Sequence, residues 1–325
     1  MTTNVPKVFA FHEFTGVAEA VADHVVHAQD SALNRELKEK KPSNTSLSAS
    51  GLSGDGKNMA RVSSTKSLNA SSTNCSRDRS GSVSNKKLKK EKEARFKIAL
   101  SGGSLIQVLH EGLLKREDVQ WGKWDIYFAD ERLVPFDSPE SNYGLAKRKI
   151  FDLVDTARYG EPRIYHIDET LIGDPQECAD KYEKLLIKGF AGRDSVKLPM
   201  FDLCLLGCAP DGHIASLFPN FQENLREKLA WVVSVENAPS GPSNRISLTI
   251  PVICHSHRIA FVVEGATKAP VVKTIMERPE KGLPSSIVNE GAAGRVSWFV
   301  DDDALTDVLI TKKKYKFRCQ SKNEE

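Results

Sequence analysis

The 325 residues predict a single doubly wound α/β domain, a mostly parallel sheet with helices on both faces, interrupted by one disordered insertion. Three observations carry this prediction. Short apolar runs rich in branched and aromatic residues alternate with stretches of helical periodicity, the pattern of a parallel sheet crossed by helices. Glycine-containing polar motifs stand directly after several of those runs, where sheets of this kind place their ligands. Between Pro42 and Asn85 both periodicities vanish, with 14 Ser among 44 positions and no aromatic residue.

In chain order, Val8–Phe11 reads as a strand and is followed by an amphipathic helix to about Asn34. Val17, Ala20, Val21, His24, Val25 and Ala28 share one face of that helix at three- and four-residue spacing. The serine-rich stretch cannot bury enough apolar surface to offset its ordering entropy, so disorder is expected there. Order returns at Arg95 with the strand Phe96–Leu100. Leu105, Val108, Leu109, Gly112 and Leu113 then have helical spacing. Further strands are expected at Trp124–Phe128, Phe201–Leu206, Arg258–Val263 and Val296–Val300, and helices at Pro175–Lys188 and Ala269–Met276. The domain is thus assigned to 1–37 and 93–311, the insertion to 38–92 and a basic tail to 312–325.

Charge separates these parts. Segment 38–92 holds 13 Lys/Arg against 4 Asp/Glu and segment 312–325 holds 6 against 2, so a total of +3 leaves the remaining body at −10. Lys86-Lys87-Leu88-Lys89-Lys90 closes the insertion with a dense positive run. Such a run reads either as a solvated linker or as a regulatory or nucleic-acid-binding arm with phosphorylatable serines. Lacking aromatic residues to stack on bases, the insertion would make only weak, salt-sensitive electrostatic contact with RNA. No run of 18 apolar residues exists, and Met1–Glu13 lacks the features of a secretory signal. The six cysteines have neither a CxxC pair nor a repeated spacing, so neither a zinc site nor a disulfide framework is indicated. A cytoplasmic protein is expected, with nuclear access through the basic run as an alternative.

Three turns carry candidate chemistry. Ser101-Gly102-Gly103-Ser104 joins a strand to a helix; glycine allows a sharp turn and the helix start offers free N–H groups, so the turn is a phosphate cradle in principle and a tight connection otherwise. Asp130-Glu131-Arg132 brings a permanent cation suited to phosphate or carboxylate, with two acids that could instead pair with it at the surface. Gly207-Cys208-Ala209-Pro210-Asp211-Gly212-His213 runs from an apolar strand into a histidine able to take a proton from water near neutral pH. No GxGxxG after a strand and no GxxxxGK[ST] is present, which argues against a dehydrogenase or a kinase.

The ordered set Ser-Gly-Gly-Ser, Asp-Glu-Arg-x-Val-Pro with Ser141-Asn142-Tyr143, and Asp211-Gly-His-x-Ala-Ser-Leu-Phe-Pro219 resembles the 6-phosphogluconolactonase family. Asn244–Pro251, Gly265–Ala269, Leu283–Val288 and Trp298-Phe299 extend the resemblance to nearly all of the chain outside the insertion and tail. It implies the α/β fold shared with glucosamine-6-phosphate deaminases and ribose-5-phosphate isomerases. It also implies hydrolysis of 6-phosphoglucono-δ-lactone to 6-phosphogluconate in the oxidative pentose phosphate pathway, with no metal or organic cofactor. By the resemblance, His213 is the general base and Asp211 orients it or its loop. Ser101, Gly102, Gly103 and Ser104 cradle the phosphate, while Arg132, Arg245 and Lys268 supply positive charge to phosphate and oxyanion. The deaminases continue differently after Gly212-His213-Ile214-Ala215, where this chain has the lactonase ending Ser216-Leu217-Phe218-Pro219.

Three positions depart from the family's usual residues: Ala209 for glycine, Ile214 for a small polar residue or cysteine, and Cys254 for asparagine. If position 209 requires a positive φ, alanine there costs about 1 kcal/mol and shifts the loop. The alternative implied by these departures, together with the basic segments, is a lactonase-like protein with weakened catalysis. By resemblance to fungal-type members of the family, such a protein would act in tRNA processing or export, or otherwise as an interaction protein.

Overall fold

Strand formation follows the apolar runs. The computed structural model describes residues 6–39, 93–190 and 198–318. It divides at Lys38 and Ala94: one unit comprises Met1–Lys38 with Ala94–Glu325, and of the segment between, only Glu39 and Glu93 are described. The serine-rich stretch, with its expected disorder and RNA contact, lies outside the described residues.

Eight parallel strands form the main sheet: β1 (Lys7–Phe11), β2 (Phe96–Leu100), β3 (Trp124–Phe128), β5 (Arg163–Tyr165), β6 (Leu203–Leu206), β9 (Ile259–Val263), β10 (Val296–Asp301) and β11 (Lys312–Lys313). Their order is β11-β1-β10-β9-β6-β2-β3-β5. Alternate residues of the central strands feed two separate cores. Ile98 and Leu100 of β2 pack with Leu205 and Val262 on one face, and Ala99 packs with Cys204, Leu206 and Phe261 on the other. Burial on both faces is why these strands are continuous apolar runs rather than alternating ones.

The first helix, Phe14–Glu39, covers one face. Its expected stripe of Val17, Ala20, Val21, Val25 and Ala28 is buried, and so are Ala18 and Ala22, because the helix Ser104–Leu113 crosses it closely. A Cβ on Gly112 would lie 2.4 Å from the Ala18 carbonyl oxygen, so the approach requires glycine. His24, on the stripe, sits 5.1 Å from the Phe299 ring, and burial pushes its pKa down to about 3. It is a neutral packing residue.

Chain direction across the sheet reverses between neighbours β2 and β6: the strands following β2 extend one way, to β3 and β5, and those following β6 the other, to β9 and β10. The turn after β2 and the loop after β6 therefore flank a crevice at the carboxyl edge, the position where doubly wound sheets bind ligands.

A second, antiparallel sheet lies outside the strands of the main sheet. It contains β4 (Asp130–Arg132), β7 (Val232–Val235) and β8 (Arg245–Leu248), in the order β4-β8-β7. It pairs Asp130 with Ser247 and Arg132 with Arg245. The segment assigned to the tail is packed in its described part. Lys312 and Lys313 pair with β1, and the Tyr315 ring meets Phe9 edge-on at 5.1 Å while its hydroxyl donates to Asp23 at 3.0 Å. Among the described residues, no helix is long and apolar enough to cross a membrane.

Candidate active site

The turn after β2 is shaped by its two glycines. Gly103 takes φ 70°, a left-handed conformation that favours glycine, and precedes the helix Ser104–Leu113. Gly102 is small for a different reason: a Cβ there would fall 1.8 Å from the Asn142 Oδ1. In the first turn of that helix the Ile106 N–H donates to the Gly103 carbonyl oxygen at 3.1 Å, and the N–H groups before it have no acceptor within the helix, a setting suited to an anion.

Asp130 is 4% exposed and binds three parts of the site together. The Ser101 hydroxyl donates to its Oδ1 at 2.9 Å, the Ser216 hydroxyl to its Oδ2 at 2.8 Å, and the Asn142 amide to its backbone oxygen at 2.9 Å. The two acids of the Asp-Glu-Arg triplet do not pair with Arg132 at the surface, contrary to that reading of the sequence. Glu131 is turned inward, 1% exposed, and accepts from the backbone N–H groups of Arg132 at 2.8 Å and of Asn142 and Tyr143 at 2.7 Å. It thereby holds the start of the helix Asn142–Lys149. Burial pushes its pKa up to about 7, against the pull of these three N–H groups.

The loop after β6 delivers the histidine. His213 Nδ1 donates to Asp211 Oδ1 at 2.7 Å, which leaves Nε2 as the acceptor of a neutral ring. The Asp211 carboxylate also accepts from the His213 backbone N–H at 3.2 Å, and the ring lies 4.4 Å from Phe218. Burial lowers the His213 pKa below its ordinary 6.5, and Asp211 opposes that shift. A neutral base at neutral pH results. Cys208 beside it is no nucleophile, because burial pushes its thiol up to about 12.

Ser101 to Ser104, Asp130, Arg132, Cys208, His213 and Lys268 all line one cleft of about 200 Å³. Lys268 ends the turn after β9. Arg132 donates to the Glu140 backbone oxygen at 2.7 Å, and its buried Nε has no partner. Arg245 and Asp211 are not among the lining residues. Arg245 is 2% exposed, donates to the backbone oxygens of Pro242 (3.0 Å) and Ser240, and lies over the Phe218 ring at 5.2 Å. Its Nη1 is buried without a partner. Burial, reinforced by neighbouring Arg132, lowers its pKa. Two adjacent guanidiniums with unpartnered buried donors form a cationic wall fit for an anion. Among the described residues no cluster of three His, Cys, Asp or Glu side chains has the makings of a metal site.

The comparison with known proteins fits this geometry. A family model described as glucosamine-6-phosphate isomerases/6-phosphogluconolactonase matches residues 79–298. The chain belongs to this family. The 6-phosphogluconolactonase-like protein 1 of Saccharomyces cerevisiae is 80% identical over 321 residues, 98% of either chain. The probable 6-phosphogluconolactonase of Schizosaccharomyces pombe is 46% identical over 217 residues, covering 66% of this chain and 83% of its own. Among solved structures, the 6-phosphogluconolactonase from Trypanosoma brucei covers 94% of this chain and 99% of that one with a TM-score of 0.66; at 19% identity it is a likeness of fold alone.

None of the three departures from the 6-phosphogluconolactonase pattern takes a positive φ, and of the three only Ala209 lines the cleft. Ala209 is not among the residues of positive φ, so the anticipated strain at 209 is absent; the left-handed positions of this loop are Gly212, φ 89°, and Ala215, φ 49°. Ile214 is fully buried in the core, and Cys254 packs against Gly291, neither of them lining the cleft. Sequence reading missed Asp130 and Ser216 as a linked pair, because 86 residues separate them. It also missed Glu131 as a helix anchor, for which Ser141-Asn142-Tyr143 was the available signal.

Proposed function

We propose that the protein hydrolyses 6-phosphoglucono-δ-lactone to 6-phosphogluconate, the lactonase step of the oxidative pentose phosphate pathway. The observation that carries this reading is a neutral, Asp211-oriented His213 facing a cleft that Arg132, Lys268 and the helix start at Ser104 make positive. His213 Nε2 takes a proton from water as the water oxygen bonds to the lactone carbonyl carbon. The carbonyl oxygen gains negative charge, which the nearby cations stabilise. Collapse breaks the bond to the ring oxygen, the imidazolium returns its proton to that oxygen, and the product is a hydroxy acid that then ionises. The phosphate is assigned to the Ser101–Ser104 turn and Arg245. Arg132 and Lys268 on the cleft, with the buried Arg245 next to Arg132, focus an anion locally in a body carrying −10.

The test is lactone hydrolysis by the purified full-length protein against a buffer blank, since the substrate also opens spontaneously. A rate well above the blank supports the reading, and a rate equal to the blank in folded protein overturns it, leaving an interaction protein. The acid limb of kcat/KM checks the base. The His213 pKa is lowered, so the neutral form survives below pH 6.5. Activity should therefore hold as pH falls through 6.5 and be lost only further down. A limb centred above 6.5 would assign the base elsewhere.

A further inference from the structure

Arg245 opens β8 at the end of the loop 236–244, and it pairs across the base of that loop with Val235 of β7. Its side chain is 2% exposed, yet it is covered by this loop, whose Asn237, Pro239, Ser240, Gly241 and Ser243 are themselves exposed. Both hydrogen bonds of the guanidinium run to neutral carbonyls of the loop: Nε donates to Pro242 at 3.0 Å and Nη2 to Ser240. Nη1 is buried and donates to nothing. The acids nearby are engaged elsewhere. Asp130 accepts from the Ser101 and Ser216 hydroxyls, Asp211 from His213, and Glu140 lies 3.5 Å from Arg132. A buried cation held by neutral acceptors alone is costly, and an anionic acceptor in their place bonds about twice as strongly.

Little else holds the tip of the loop. Among the described residues, 237–243 belong to neither apolar core, and one backbone bond closes the loop, from the Ala238 N–H to the Ser243 carbonyl at 3.0 Å. Its base is fixed by contrast, since the Asn244 carbonyl accepts from the Leu133 N–H of the β4 side at 2.9 Å. Asn237, φ 56°, and Gly241, φ 65°, take left-handed conformations, and a Cβ on Gly241 would come within 3.0 Å of Arg245 Nη2. Arg132, opposite Arg245 in the β4–β8 pairing, lines the cleft and Arg245 does not, so a ligand reaches the second guanidinium only if its cover moves.

We propose that the loop 236–244 is a lid on Arg245, closed by the Ser240 and Pro242 carbonyls and displaced when the phosphate of a sugar-acid ligand takes their place on the guanidinium. The proposal rests on the assignment of the ligand phosphate to Arg245 made above. Opening breaks the Ala238–Ser243 bond and releases the left-handed angle at Gly241, while Asn244 stays tied to the β4 side. The ligand exchanges two bonds to neutral carbonyls for charge-assisted ones and gives the buried Nη1 an acceptor. Part of the binding free energy is therefore spent on opening, and the apparent affinity is lower than the intrinsic one by the open fraction.

The experiment is calorimetric titration of the full-length protein with 6-phosphogluconate, native against Gly241→Val. Valine strains the closed loop, because a β-branched residue disfavours a positive φ and its Cβ crowds Arg245 Nη2. Opening then costs less, so the variant should bind about fivefold more tightly than the native protein. Equal or weaker binding overturns the proposal, since strain added to a site that does not open yields no gain. Should the variant not fold, hydrogen exchange in the native protein decides. Saturating 6-phosphogluconate should speed exchange of the Ala238 amide, and unchanged or slower exchange overturns the proposal. Lactone hydrolysis by the native protein separates this from the parent reading. Turnover without a gain in affinity sinks only the lid, and a gain without turnover sinks only the lactonase. Binding of 6-phosphogluconate to neither protein sinks the lid whatever the turnover.

Discussion

Replacing His213 by alanine is expected to lower kcat about a thousandfold, within the usual range of a lost general base. The expectation rests on three features. The ring is oriented by a 2.7 Å bond to Asp211, its pKa is lowered by burial, and it lines the cleft beside the Ser101–Ser104 turn and Lys268. KM should move far less, because the cations and the helix start remain. Asp211→Asn provides the graded companion. It keeps the shape of the loop but replaces the acceptor that fixes the tautomer, so kcat should fall by a smaller factor. Asp211 is 44% exposed, and solvent weakens its electrostatic hold on the ring. Removing the histidine also costs the packing against Phe218, on the order of 1–2 kcal/mol, so both variants need a thermal midpoint beside the rate. A folded His213→Ala protein that hydrolyses the lactone at the native rate removes His213 from the mechanism.

The largest loss of stability is expected from Glu131→Ala. The carboxylate is 1% exposed and accepts from three backbone N–H groups at 2.7–2.8 Å and from the Ser141 hydroxyl at 3.3 Å. Alanine leaves these donors buried without an acceptor, at a cost of about 1–3 kcal/mol for each one that water cannot reach. A loss of at least about 3 kcal/mol in unfolding free energy is expected by denaturant titration. Activity should fall with it for a structural reason. The start of the helix Asn142–Lys149 carries Asn142, whose side chain fills the space above Gly102 and bonds to Asp130. Glu131→Gln keeps the shape and one acceptor oxygen but turns an amide donor toward other donors, and about half of the loss should remain. An alanine variant as stable as the native protein would show that water or a rearranged helix start replaces the carboxylate.

Sequence and structure agree most closely where an element is apolar and local. Phe96–Leu100 and Trp124–Phe128 were readable to the residue, because strands buried on both faces are unbroken apolar runs. The stripe from Val17 to Ala28 was readable because a helix facing a core repeats every three to four residues. The candidate site was readable at the same level. Ser-Gly-Gly-Ser and Asp-Gly-His stand immediately after such strands, and the parallel topology alone sends both to the carboxyl edge.

What sequence could not show is decided by partners distant along the chain. β4, three residues long, is wholly polar, and β8, four residues long, alternates polar and apolar over too short a run to stand out. They are strands because each supplies the other's backbone hydrogen bonds across more than a hundred residues. The same pairing sets Arg245 beside Arg132 and buries it, where sequence placed it only among possible phosphate ligands. It also turns Glu131 from a surface neighbour of Arg132 into the anchor of a helix. The conformation of Ala209 belongs to this class, since a backbone angle in a loop depends on how the loop is tied at both ends.

By itself, then, the sequence determined the α/β class, the order of the central elements and the edge of the sheet where polar motifs collect, because hydrophobic periodicity and strand-to-turn adjacency are local properties. Only the tertiary structure decided which charges are buried, which carboxylates are shared and which cations stand next to one another. Those depend on contacts between segments as far apart as Asp130 and Ser216, and on the water that their packing excludes.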